Sequence, residues 1–128
     1  MGRIVTRINV ANAIDRSKDI DFDVLIDTGA GGLILPKIWQ KRLGEFAETR
    51  EVELEMADSR IVRGIVAGPV RIMIEGFDPV YNELTFIDME PHEGKYEPLL
   101  GYIILEQSRA AVDMLGHRLI KVKYLDLK

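Results

Sequence analysis

Asp23-Val24-Leu25-Ile26-Asp27-Thr28-Gly29-Ala30-Gly31-Gly32-Leu33-Ile34-Leu35-Pro36 begins as an apolar strand and then breaks its own pattern. After Val24-Leu25-Ile26 a buried strand should continue. Instead an acid, a hydroxyl and a glycine follow in immediate succession, and two more glycines precede the apolar run Leu33-Ile34-Leu35. A carboxylate at the end of an apolar strand is costly unless hydrogen-bond donors surround it. Glycine lets the backbone turn sharply and aim N–H groups at that carboxylate, and Thr28 adds a hydroxyl that both donates and accepts. Asp, Thr and Gly are also ordinary turn residues. Surface turns, however, are seldom embedded in apolar sequence on both flanks. The stretch reads as a device for holding a reactive carboxylate.

A second apolar pair followed by glycine, Leu99-Leu100-Gly101, runs into Tyr102-Ile103-Ile104-Leu105-Glu106-Gln107, a short helix. Together with Leu25-Ile26-Asp27-Thr28-Gly29-Ala30 and Leu33-Ile34-Leu35-Pro36, this resembles the two signatures of the retropepsin-like aspartic proteases. The order and separation of the two elements are also those of that family. The resemblance extends from about Gly2 to the end of the chain and is specific at these two places.

The resemblance implies that Asp27 is catalytic, with Thr28, Gly29 and Ala30 supporting the active-site loop. Thr28 would bond across a dimer axis, and the Gly29 N–H would face the carboxylates. Leu99, Leu100 and Gly101 would form the apolar turn behind the loop, with Leu100 or Tyr102 lining the substrate cleft. Viral members follow Asp-Thr-Gly-Ala with an acid and the later glycine with an arginine, which form an ion pair. Here Gly31 and Tyr102 occupy those places, so both partners are missing and no orphan charge is left. Arg109 is the one candidate to substitute.

Hydrolysis of a peptide by carboxylates needs two of them on one water, one as base and one as acid. No second Asp-Thr/Ser-Gly exists: Asp58-Ser59 is followed by Arg60, Asp88 by Met89 and Asp113 by Met114. The second acid is therefore expected from a second copy, since a two-fold axis sets a residue opposite itself. The resemblance likewise implies a homodimer, with peptide or protein as substrate and activity at acid to mildly acid pH. The alternative is a barrel that kept the fold as a non-catalytic peptide-binding or assembly module.

The rest of the chain is consistent with a small mostly-β protein. At 128 residues it is one domain by the usual prior, residues 1–128, and buries roughly two-thirds of its unfolded surface. The net charge of −4 and the lack of a Lys/Arg cluster disfavour nucleic acid. No apolar run approaches ~18 residues, so no membrane helix is expected. The N-terminus lacks the apolar core of a signal peptide, which leaves a cytoplasmic default. Absence of cysteine excludes disulfides, thiolate catalysis and cysteine zinc sites. His92 near Glu90 and Glu93 has no second His or Cys beside it, so no metal and no cofactor is expected.

Alternation places strands over Ile4–Val10, Ile20–Ile26, Val52–Met56, Val70–Glu75 and Tyr81–Ile87. Pro36 to Gly44 reads as a short helix, proline at its start and glycine at its end. Trp39 within it reads as packing. Ala47–Glu51 reads as loop, and Asp88–Pro98 as a solvated connection. Glu51–Ala67 reads as a long hairpin with Ala57, Asp58, Ser59 and Arg60 at its tip, either a plain hairpin or, where the resemblance places it, a flap over substrate that lacks the glycine-rich tip of many viral flaps. His117 marks a turn between Val112–Leu115 and a last strand, Arg118–Leu127, whose apolar face is Ile120, Val122 and Tyr124; it reads equally as an ordinary barrel strand or, by the resemblance, as a terminus that adds to an intersubunit sheet. Many short strands and two short helices make a small closed barrel.

Overall fold

The computed structural model describes residues 3–56 and 58–122. Strand β1 (Val5–Asn12) pairs antiparallel with β2 (Asp19–Ile26), Ile8 opposite Phe22 and Val10 opposite Ile20. Period-two alternation sends Ile20, Phe22, Val24 and Ile26 inward and Asp19, Asp21 and Asp23 to solvent. This is the expected hairpin, and it delivers Asp27 at its far end.

Between β2 and β3 (Leu33–Pro36) lies β7 (Leu99–Leu100), parallel to β2 and antiparallel to β3. β3 pairs parallel with β6 (Val80–Ile87), which pairs with β5 (Ile61–Ile74). β5 returns to β1, Ile8 opposite Ile74, and closes a barrel in the order β1-β2-β7-β3-β6-β5. Closure leaves these six strands no free edge. β4 (Glu48–Glu55) adds to β5 from outside the ring.

The barrel interior holds Ile8, Val10, Leu33, Leu35, Ile72, Ile74, Leu84, Phe86 and Leu100, with Ile104 of helix α1 (Tyr102–Gln107) closing one side. Each large side chain of this kind contributes about 1.5–3 kcal/mol through burial. Trp39 packs edge-on against Phe22 with ring centres 5.0 Å apart.

Several elements differ from the reading above. Glu48–Glu51 is strand, not loop. Glu48, Thr49 and Arg50 pair with Gly68, Ala67 and Val66 while exposed to solvent, so no apolar alternation announces them. The segments ending at Gly68 and starting at Val70 are one strand, β5, with a register shift between Ala67 and Val70 where it exchanges β4 for β1 as partner. The Pro36–Gly44 helix is a 3-10 helix, Lys37–Leu43. Its far end is tied to β1 by buried Asn12, whose amide donates to the Leu43 and Glu45 carbonyls at 2.9 and 2.6 Å.

After α1, β8 (Ala110–Asp113) and β9 (Arg118–Lys121) form a separate hairpin turning at His117, whose φ is +52°. Leu119 packs on the core, while Ile120 is exposed. The apolar face assigned to Ile120 and Val122 is therefore the outer one. The remainder of that strand, from Lys123, lies outside the described residues.

Candidate active site

The topology explains the loop. β2 and β3 are separated by β7, so residues 27–32 must arch across the end of β7 to join them. β7 is held on one side by Leu25 N–H to the Pro98 carbonyl and Asp27 N–H to the Leu100 carbonyl, both 3.0 Å. Under the arch, the amides of Gly101, Tyr102 and Ile103 donate to the carbonyls of Gly32, Ala30 and Gly31 at 2.9, 3.0 and 2.9 Å. Three consecutive loop carbonyls are thus satisfied by three consecutive amides at the start of α1. The approach is so close that a Cβ on Gly101 would run into the carbonyl oxygens of Ala30 and Gly31. The glycine is required by that distance.

Asp27 stands at the top of this arch, half-buried. Its Oδ1 accepts the Gly29 N–H at 3.0 Å, and its backbone carbonyl accepts the Ala30 N–H at 3.0 Å. One carboxylate oxygen is oriented, and among the described residues Oδ2 has no hydrogen bond. Thr28 and Gly29 are exposed beside it. A carboxylate so placed has an oxygen free for a water, a proton or a second acid.

The structure brings Asp27, Thr28, Gly29 and Ala30 together with Leu99, Leu100 and Gly101 in this one assembly. Two expectations change. Leu100 is fully buried in the core and cannot line a cleft, whereas Tyr102 is exposed. Arg109 does not replace the missing ion pair. It sits past the far end of α1 and pairs with Asp78 at 3.4 Å. At the place of the first partner, the Ile103 side chain lies 3.6 Å from where a Cβ on Gly31 would stand. Sequence reading passed over Ile103; its signal was an apolar residue directly after Tyr102 where α1 meets the loop.

The tip of the β4–β5 hairpin is a tight turn. Met56 N–H bonds the Arg60 carbonyl at 2.8 Å, Ser59 N–H bonds the Met56 carbonyl at 2.9 Å, and Asp58 Oδ1 accepts the Arg60 N–H at 3.1 Å. Ser59 takes a left-handed φ of +67°. Asp58, Ser59 and Arg60 are exposed, and Ala57 lies outside the described residues. His92 is engaged in a small bridge with Lys95, 2.8 Å from N–H to carbonyl.

No family model and no curated protein matches the sequence. Among solved structures the chain is similar to the EIAV protease complexed with the inhibitor HBY-793. The two share 20% identity over 83% of this chain and 88% of that one, with a TM-score of 0.61. The fold is retropepsin-like. At this identity the likeness speaks for the retropepsin-like barrel and leaves chemistry to the residues. Among the described residues no helix is long and apolar enough to cross a membrane.

Proposed function

We propose that the chain is one half of a homodimeric aspartic endopeptidase in which Asp27 and its counterpart from a second copy act on one water. The observation that supports this best is the half-buried Asp27 carboxylate. One of its oxygens is held by Gly29, on an arch pinned from below by Gly101, Tyr102 and Ile103. Such an arrangement supplies orientation, the larger part of what a carboxylate base needs.

Two carboxyls in contact cannot both ionise and share one proton. The ionised member takes a proton from water as its oxygen attacks the scissile carbonyl carbon. The protonated member gives its proton to the carbonyl oxygen. As the tetrahedral diol collapses and the C–N bond breaks, the carboxyl protonated in the first step gives its proton to the leaving nitrogen, and the other carboxylate takes one from a diol hydroxyl, which restores the shared proton. Thr28, exposed next to Asp27, is suited to bond across the axis, and the Glu51–Ala67 hairpin, with its tip at Asp58, Ser59 and Arg60, is suited to cover an extended peptide. The EIAV structure, a protease with a bound inhibitor, lends weight by fold.

The rival reading, a peptide-binding or assembly module, draws on the replacement of an ion pair by Gly31 and Tyr102. Incubation with denatured casein at several pH values, with and without pepstatin, separates the two. Pepstatin-sensitive cleavage lost in Asp27→Asn supports the enzyme. Wild type that never cuts and behaves as Asp27→Asn does overturns it.

A further inference from the structure

Two arginines of the first strand segment stand opposite two aspartates of the next, and only one of them closes on its neighbour. Arg7 of β1 lies directly opposite Asp23 of β2, and the two form an ion pair at 3.4 Å. The same register runs on past Val5 and Leu25, because the Ile26 N–H donates to the Ile4 carbonyl at 2.9 Å. Arg3 is therefore next in line with Asp27. Ile4 and Ile26 are buried while Val5 and Leu25 lie on the outer face, so alternation sets Arg3 and Asp27 on that outer face too. Opposed side chains on one face of such a ladder have Cβ atoms about 4.5–5.5 Å apart. By register alone, Arg3 should close on Asp27 as Arg7 closes on Asp23.

It does not. Its guanidinium pairs with Glu97, and among the described residues Asp27 has no ion pair. Glu97 directly precedes Pro98, whose carbonyl takes the Leu25 N–H on the other flank of β2. In the order β1-β2-β7, Arg3 thus reaches past β2 to the far neighbour and leaves the acid opposite it unpaired. The reason lies in what each carboxylate already has. Asp27 Oδ1 accepts the Gly29 N–H. Glu97 Oε1 is shut off from solvent and has no hydrogen bond among the described residues, so the Arg3 charge alone compensates it. A sequestered carboxylate oxygen is costly to leave alone, and that cost holds Arg3 in place.

We propose that Glu97 is a positioning residue that keeps Arg3 off Asp27. Its consequence for activity rests on the reading of Asp27 as one of two acids on a shared water. An arginine on Oδ2 would occupy the oxygen that the water or the second acid needs. It would also hold Asp27 as an anion that shares no proton. Glu97 therefore serves the site from the far side of β2 without touching substrate.

Activity and stability test this separately. On denatured casein, Arg3→Gln should cut as wild type does, and Glu97→Gln should fall roughly two- to five-fold. Combining the two changes should restore the wild-type rate, because the released arginine is gone. A merely structural ion pair gives another pattern, in which both single changes lose alike and the double recovers nothing. That pattern, or Glu97→Gln as active as wild type, overturns the proposal.

The second measurement needs no catalysis. In calorimetry at low salt, Arg3→Gln and Asp27→Asn should shift Tm additively in the wild-type background, since the two side chains do not pair. In the Glu97→Gln background they should depart from additivity by roughly 1–4 °C, the size of a new surface pair. Additivity in both backgrounds, or equal coupling in both, overturns the proposal. A chain that cuts nothing but couples the two residues only with Glu97→Gln keeps the hold on Arg3 and loses the peptidase. A peptidase without that coupling does the reverse.

Discussion

The Gly101 amide donates to the Gly32 carbonyl across 2.9 Å, at an approach where Gly101 has no room for a side chain. The start of α1, directly after the second apolar pair, passes beneath the loop that carries Asp27. Gly101→Ala must push the loop up or the start of α1 down. Overpacking of this kind costs about 1–3 kcal/mol, or a fall in Tm of about 5–10 °C for a domain of this size. A Cβ on Gly32 would meet nothing within 4 Å, so Gly32→Ala should stay within about 0.5 kcal/mol of wild type. Calorimetry of the two variants checks the contrast, and equal Tm values would refute the account.

Asn12 satisfies two carbonyls at the end of the 3-10 helix and accepts the Ile14 N–H at 3.0 Å, all with its side chain buried. Asn12→Leu strands those groups at about 1–3 kcal/mol each if water cannot reach them. Urea denaturation should show a loss of at least about 2 kcal/mol at unchanged m-value.

Asp27→Asn should abolish peptidase activity while the circular dichroism spectrum and the gel-filtration mass stay as in wild type. Retained activity would remove Asp27 from the chemistry. A changed mass would assign it to assembly instead.

Because the proposed dyad needs two copies, activity per chain should fall on dilution as dimers dissociate. Progress curves from micromolar to nanomolar chain test this. Flat specific activity over that range contradicts the shared site.

Hydrogen bonding to Arg50, with its charge adding to the effect, holds the Glu83 carboxyl below the usual carboxylate range. A carboxyl lowered in the folded state contributes stability above its unfolded pKa, and that contribution is lost as pH falls through the folded pKa. In Tm against pH, Glu83→Gln should therefore lie below wild type at neutral pH. The two curves should converge in acid, below the depressed value. The gap is small because the pair is largely exposed, and a gap that widens in acid would contradict the assignment.

What could be read from the chain alone was whatever its local pattern writes down. Ile20, Phe22, Val24 and Ile26 alternate because one strand face is dry, and that period needs no knowledge of partners. The arch at Asp27-Thr28-Gly29 and the turn at Leu99-Leu100-Gly101 were legible because acid and glycine interrupt apolar runs in places where packing alone would not put them. What the tertiary structure alone decided concerns which edges meet. Glu48-Thr49-Arg50 is strand only because β5 offers an edge, and β5 runs through Gly68-Pro69 only because it changes partner there. Leu100 faces the core and Tyr102 the solvent because β7 is inserted between β2 and β3. Barrel closure is a relation between residues far apart in sequence, and no local period encodes it.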